Sequence, residues 1–275
     1  MVYVIAEIGI NHNGDINLAL NMIKQAHRAG AHCVKFQKRN PEICVPDSQK
    51  NNIKIFKGEE MTYLEYKQKI EFGKEEYDKI NELCHSLNID WTVSVWDIDS
   101  VNFMRQYLND IPFIKVPSAC VTDIELLKKI DELGIPVVMS TGMSTMEEID
   151  LAVNILSNLI ALMHCNSSYP AANNELDLNV IKTFKNWYPH LMMGYSGHEI
   201  GYFPTLISIA CGAEWIERHF TTDKTMEGTD QKCSLEPHEF SAMVSGILDT
   251  QIILGLPYVK VYPSEEKVKQ KLRKW

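Results

Sequence analysis

Met193-Gly194-Tyr195-Ser196-Gly197-His198-Glu199 and Trp215-Ile216-Glu217-Arg218-His219-Phe220 each follow a short apolar run and precede a polar, turn-forming segment. Each therefore reads as the C-terminal end of a buried strand. His198 and His219 are 21 residues apart, about one helix plus its loops, which suits consecutive parallel strands. Two imidazoles would then stand side by side at one end of one sheet. That arrangement suits a metal ion or an acid–base site.

Working outward, the same grammar repeats along the chain. Apolar strand-like runs fall at 3–8, 32–37, 90–95, 112–116, 136–140, 159–164, 191–195 and 213–219. Helix-period runs fall between them at 16–29, 73–88, 98–108, 123–133, 145–157, 175–186 and 203–210, with another at 237–253. Gly30, Gly134 and Gly212 stand where short helix-to-strand loops need a left-handed residue. Thr122-x-x-Glu125 and Ser144-x-x-Glu147 read as capping boxes. Eight strand-then-helix units in series predict a (β/α)8 TIM barrel over 1–265, followed by a C-terminal tail or short helix at 266–275. A doubly wound open sheet is the alternative. Residues 38–72 form one long connection, the length expected of a functional loop or lid.

Composition narrows the function. With 45% hydrophobic and 23% charged residues the chain can bury a sizeable core. A net charge of −9 argues against a general nucleic-acid or anionic-membrane surface. Seven cysteines without a CxxC spacing, an early carboxylate at Glu7 and no membrane-length apolar run predict a cytoplasmic protein.

In a barrel, chemistry gathers beyond the C-terminal strand ends. Those ends carry Glu7, Lys35 and Gln37, Lys115 and Ser118, Ser140, Ser167 and Tyr169, Ser196 and His198, and Glu217 and His219. Lys35 and Lys115 lie inside apolar strands, where an unpaired ammonium is expensive. They read as partners of Glu7 or Glu217, as Schiff-base lysines, or as anion ligands. The neighbouring serines favour an anion, as in a phosphate cradle. Two histidines completed by water or substrate oxygens suit Mn²⁺ better than a closed zinc site.

Ile5-Ala6-Glu7-Ile8-Gly9-Ile10-Asn11-His12-Asn13-Gly14, Val34-Lys35-Phe36-Gln37, Ser140-Thr141-Gly142-Met143, Gly194 to Glu199 and Ile216 to Phe220 together resemble the sialic acid (N-acetylneuraminate) synthases. Gly228-Thr229-Asp230-Gln231 fits the same pattern. The resemblance runs in order from residue 1 to about 265. It implies a TIM barrel that condenses phosphoenolpyruvate with an open-chain N-acylated amino sugar, releasing a nonulosonic acid and phosphate. It implies that His198 and His219 hold Mn²⁺ or Mg²⁺. Lys35, Lys115, Ser118, Ser140 and Ser196 would hold phosphoenolpyruvate. Glu7, Gln37, Tyr169 and Asp230 would face the sugar, with Ser167 in the loop before Tyr169 and Glu217 near the metal. Glu7, Lys35, Lys115 and Glu217 are the expected catalytic groups.

A homodimer is also implied, while the small C-terminal antifreeze-like domain of two-domain members has no counterpart in the resemblance. Cys120 stands where many members carry a carboxylate, so proton handling would fall to another group such as Asp97 or Asp123. The alternative functions are a Schiff-base pyruvate aldolase or lyase, and a phosphosugar-binding barrel without catalysis.

Overall fold

A computed structural model describes residues 2–274. Met1 and Trp275, the outer ends of the expected barrel segment and tail, lie outside the described residues. The strands are β1 (Tyr3–Gly9), β2 (Cys33–Lys38), β3 (Ile53–Phe56), β4 (Glu59–Thr62), β5 (Asp90–Val95), β6 (Ile114–Val116), β7 (Val137–Ser140), β8 (Leu159–Cys165), β9 (Met192–Gly197) and β10 (Trp215–His219). All but β3 and β4 close into one parallel barrel in the order β1-β10-β9-β8-β7-β6-β5-β2, so the fold is a (β/α)8 TIM barrel. An open doubly wound sheet is thereby excluded.

Period-2 alternation explains what each strand buries. Outward residues such as Val4, Val34, Val93, Leu162 and Ile216 pack against the helices in the main core. Inward residues near the N-terminal ends, Ile5, Cys33, Phe113, Val138, Met163 and Trp215, form a separate apolar plug. Tyr3, Phe113 and Trp215 cap it with ring centroids 4.5–6.3 Å apart. One inward step further along, the residues become Glu7, Lys35, Lys115, Ser140, Ser196 and Glu217. The plug closes the bottom of the barrel, so its polar layer opens only toward the C-terminal ends.

Helix termini follow local chemistry. Gly30, Gly134 and Gly212 take φ of 93°, 68° and 105°, the left-handed stops expected of them. Both expected caps are displaced by one residue, and only the second forms a capping box. The helix Ile124–Asp131 is capped by Asp123, whose carboxylate accepts from Leu126 N at 3.0 Å. The helix Met146–Ile155 is capped by Thr145 with Glu148. The cap is the last non-helical residue, and both helices begin one position later than the patterns suggested. The expected helix 175–186 is instead a 3₁₀ turn at Asn173–Glu175 and a helix at Val180–Trp187, separated by Asp177 at φ 42°.

The long connection 38–72 is structured. It contains the turns Pro41–Cys44 and Asp47–Lys50, the β3–β4 hairpin and the helix Tyr63–Ile70. Lys57 and Gly58 take φ of 52° and 80°, as a two-residue hairpin with a primed turn requires. Lys57 N donates to Glu227 and its ammonium to the Asn13 carbonyl, so the hairpin lies over the C-terminal end of the barrel. The helix Pro263–Leu272 follows the barrel. No helix among the described residues is long and apolar enough to cross a membrane.

Candidate active site

Strand register assembles the site. Glu7 pairs with Lys35 and with His219, Glu217 with Ser196, Ser196 with Cys165, and Lys115 with Ser94. Glu7, Lys35, Gln37, Lys115, Ser118, Ser140, Ser167, Tyr169, Ser196, His198, Glu217 and His219 therefore line a single cavity of about 590 Å³. Asp230 stands just behind it, its carboxylate 3.8 Å from His219 Nδ1. Trp96 also faces the cavity.

Two buried lysines meet two buried carboxylates at its floor. Lys35 Nζ is 2.7 Å from Glu7 and 3.7 Å from Glu217. Lys115 Nζ is 3.3 Å from Glu217 and donates to Ser140 Oγ at 2.7 Å. Ser196 Oγ donates to Glu217 at 3.1 Å. Burial disfavours every one of these charges, and the balance differs by residue. On Lys35 the carboxylates of Glu217 and Glu7 outweigh burial and raise its pKa. On Lys115 burial wins and lowers it. Burial pushes Glu217 up, yet the ammoniums of Lys115 and Lys35 outweigh it and bring Glu217 to about 2. Burial pushes Glu7 up to about 7, with Lys35 pulling against it and Glu217 adding to it. Glu7 is thus a buried carboxyl poised near neutrality, and Glu217 a fixed anion between two cations.

Ser118 accepts a hydrogen bond from Gly142 N at 2.9 Å. A Cβ on Gly142 would come within 2.2 Å of Ser167 Oγ and 3.0 Å of Ser118 Oγ. The glycine in Ser140-Thr141-Gly142 thus lets the strand end approach the hydroxyls closely.

The imidazoles of His198 and His219 lie with centroids 5.3 Å apart, and Tyr169 stacks on His198 at 4.0 Å. His198 Nδ1 is 2.7 Å from the Asn166 carbonyl, an arrangement that leaves Nε2 with the lone pair. Burial opposes a charge on His198, but the Cys165 sulfur and that carbonyl raise its pKa. Burial takes His219 down to about 3, and its buried Nδ1 has no hydrogen-bond partner. A neutral imidazole with an orphaned nitrogen beside a second oriented imidazole fits a divalent ion completed by water or substrate oxygens. Among the described residues no group of three or more His, Cys, Asp or Glu is placed to hold a metal by itself.

Asn11-His12-Asn13-Gly14 plays a supporting part. Asn11 Nδ2 donates to the Phe220 carbonyl at 2.9 Å and to Ser234 Oγ at 2.8 Å, and Ser234 Oγ donates to the Asp230 carbonyl at 2.7 Å. This latch fixes the loop that carries Asp230. Gly14 has φ 73°, and a Cβ there would meet Lys69 O at 2.5 Å.

Neither carboxylate suggested in place of an acid at Cys120 reaches the cavity. Asp97 caps the helix Ile98–Met104 and accepts from Ser100 N at 2.7 Å and Asn40 N at 2.6 Å. Asp123 is exposed and is likewise a cap. Cys120 is itself buried, and burial pushes its thiol up to about 12. Cys165 also lines the cavity, with its sulfur 3.7 Å from His198 Nδ1. His164 points outward, with Nε2 2.6 Å from the Leu176 carbonyl. Arg39 was not singled out in the sequence. It stacks on Trp96 at 3.8 Å and donates to Gln37, whose amide in turn donates to Glu7 at 3.0 Å.

The sequence model of the NeuB family matches residues 22–257. An N-acetylneuraminate-9-phosphate synthase from Drosophila melanogaster is 38% identical over 91% of this chain and 68% of its own length. An N,N'-diacetyllegionaminic acid synthase from Campylobacter jejuni is 35% identical over 96% of this chain and 80% of its own. The crystal structure of an N-acetylneuraminic acid (sialic acid) synthetase from Leptospira borgpetersenii, in complex with citrate, superposes with a TM-score of 0.87 at 32% identity. That superposition covers 100% of this chain and 93% of the other.

Proposed function

We infer the reaction from one premise: the chain belongs to the NeuB family. It is a phosphoenolpyruvate-dependent synthase of the sialic acid synthase type, condensing phosphoenolpyruvate with an amino sugar to a nonulosonic acid. The finer reading is ours. The acceptor is an open-chain N-acylated amino sugar of the N-acetylmannosamine kind, and the reaction depends on Mn²⁺ or Mg²⁺ at His198 and His219. The observation that carries it is the pair of buried lysines beside the pair of imidazoles, in one cavity lined by serine hydroxyls.

Phosphoenolpyruvate brings a phosphate and a carboxylate. Lys35 and Lys115 supply two charges for them, and Ser118, Ser140, Ser167 and Ser196 supply hydroxyl donors. Glu217, 3.7 Å from Lys35 and 3.3 Å from Lys115, favours the charged form of both lysines and aims them before the substrate arrives. Glu7, Gln37, Tyr169 and Asp230 face the sugar. A divalent ion on His198 and His219 would polarise the aldehyde oxygen as a Lewis acid.

C3 of phosphoenolpyruvate forms a bond to the aldehyde carbon, and the aldehyde oxygen must gain a proton. Glu7, held near neutrality by burial, is the cavity group suited to give it. The attack leaves an oxocarbenium at C2. Water adds there and loses a proton, which Glu7, then ionised, can take. The tetrahedral phosphate ester collapses as its C2 hydroxyl becomes the ketone: the C–O bond to phosphate breaks, and the hydroxyl proton passes to the departing phosphate. The lysines stabilise the charge that moves onto the departing phosphate.

Phosphate release from phosphoenolpyruvate, assayed with Mn²⁺ and a panel of acylated amino sugars, tests this reading. It should require a sugar, and folded protein with no release on any sugar would refute it. One observation favours a second reading: the lowered pKa of Lys115 is what a Schiff-base lysine needs. Borohydride trapping with pyruvate separates the two, since a stable adduct on Lys115 or Lys35 would support the aldolase.

A further inference from the structure

We propose that Arg218 and Glu199 are positioning residues: their buried ion pair, on the outer side of the barrel wall, sets the separation of His198 and His219 and with it the affinity of the divalent-ion site. The proposal rests on the reading that those two imidazoles hold the ion.

β9 and β10 lead to the two histidines, and the register between them ends at the pair Gly197–Arg218. His198 and His219 each lie one residue beyond that last pair. The backbone of each is tied away from the other. The His198 carbonyl accepts from Ala171 N at 3.1 Å, and the His219 carbonyl accepts from Leu235 N at 2.7 Å. Arg218 and Glu199 bridge the gap. Arg218 Nη1 donates to Glu199 Oε1 at 2.7 Å, and Nη2 donates to the Glu199 carbonyl at 2.7 Å. One guanidinium, next to His219 in the chain, thus grips both the side chain and the backbone of the residue after His198. A planar fork with two donors fixes angle as well as distance, which a single point charge does not.

The surroundings hold this clamp in one geometry. Strand alternation turns Arg218 outward, between the inward Glu217 and His219. There its Nη1 also donates to Thr205 Oγ1 at 2.9 Å, on the helix Phe203–Ala210. The Tyr195 hydroxyl donates to Glu199 Oε2 at 2.8 Å. A Cβ on Gly197 would meet Glu199 Oε2 at 2.6 Å, so this glycine lets the carboxylate fold back against the strand end. Both side chains are fully buried, and Arg218 Nε has no partner. A buried ion pair with an unsatisfied donor adds little net stability over an uncharged pair of similar volume. What it supplies here is geometry, at the point where the sheet stops fixing the two strand ends. The imidazole centroids stand 5.3 Å apart across that point.

The test is calorimetric titration of the full chain with Mn²⁺ and, without metal, with phosphoenolpyruvate. Arg218→Met combined with Glu199→Gln removes both charges together, and the glutamine amide can still accept from Tyr195 and donate to Thr205. The double variant should therefore stay folded, with a Tm near that of wild type. Its Mn²⁺ affinity should fall about 10- to 100-fold, the usual effect of removing a group that orients a metal ligand. Phosphoenolpyruvate affinity should stay within about twofold, because the lysines keep their own partners. Arg218→Lys keeps a charge opposite Glu199 but not the fork, and should lose about tenfold in Mn²⁺ affinity. If the double variant does not fold, this single variant decides by the same criterion. Folded variant protein that binds Mn²⁺ within about twofold of wild type would overturn the proposal and spare the metal reading. Equal losses for Mn²⁺ and phosphoenolpyruvate would also overturn it, since they would mark a general loosening of the barrel end. Wild type that binds no Mn²⁺ would sink both.

Discussion

Replacing Lys115 by Met separates what this lysine does for the fold from what it does for the ligand. The side chain is 2% exposed, and Met keeps nearly its volume, so cavity costs are small. Removing one partner of a buried ion pair typically costs about 3–5 kcal/mol. Here Glu217 keeps Lys35 at 3.7 Å and the Ser196 hydroxyl at 3.1 Å, and burial of the Lys115 charge was itself unfavourable. The stability loss should therefore fall below about 3 kcal/mol. The ligand effect should be larger in relative terms. One charge-assisted hydrogen bond to a phosphate is worth about 1.5–3 kcal/mol, so phosphoenolpyruvate affinity should drop about 10- to 150-fold. Thermal unfolding and calorimetric titration of phosphoenolpyruvate on the same protein measure both. Folded Lys115→Met protein that binds phosphoenolpyruvate within twofold of wild type would refute the assignment of this lysine to the anion.

The remaining predictions concern Glu7, the two histidines and the fold. If protonated Glu7 donates to the aldehyde oxygen, activity should fall as pH rises through about 7, because its raised pKa keeps the proton only below that value. Glu7→Gln should lower kcat at least tenfold and remove that limb from the pH–rate profile, and an unchanged limb would assign it elsewhere. His219→Ala should abolish measurable Mn²⁺ binding by calorimetry while the protein stays folded; unchanged Mn²⁺ affinity would exclude this imidazole as a ligand. Glu199→Ala should cost about 3–5 kcal/mol and lower Tm by roughly 10 °C, because it strands the fully buried Arg218 guanidinium that Glu199 binds at 2.7 Å. A shift within 2 °C would contradict that role.

Much of this arrangement was legible in the sequence because barrel geometry converts position into direction. Lysines in apolar strands, and polar residues two apart at strand ends, must face inward and upward once eight strand–helix units close. Lys35, Lys115, Glu217 and His219 could therefore be placed in one cavity without knowing any contact. Contacts between groups on different connections were not legible. The Cys165–His198 approach and the Arg39–Gln37–Glu7 chain depend on side chains converging from separate strands and loops. The Lys57-Gly58 turn did carry a local signal, since glycine after an alternating apolar run suits a primed hairpin turn. The cap positions were missed by one residue because Asp123 and Thr145 sit beside residues of equal capping ability.

The central claim is that this cavity joins phosphoenolpyruvate to an amino sugar by carbon–carbon bond formation, with cleavage of the C–O bond to phosphate. Phosphoenolpyruvate carrying ¹⁸O in the oxygen that bridges C2 and phosphorus, incubated with Mn²⁺ and the amino sugar panel and analysed by mass spectrometry, tests it most directly. The account predicts one acid three carbons longer than the sugar for each phosphate released, with the ¹⁸O in the phosphate. Label retained in the organic product, or pyruvate formed in place of the longer acid, would contradict it.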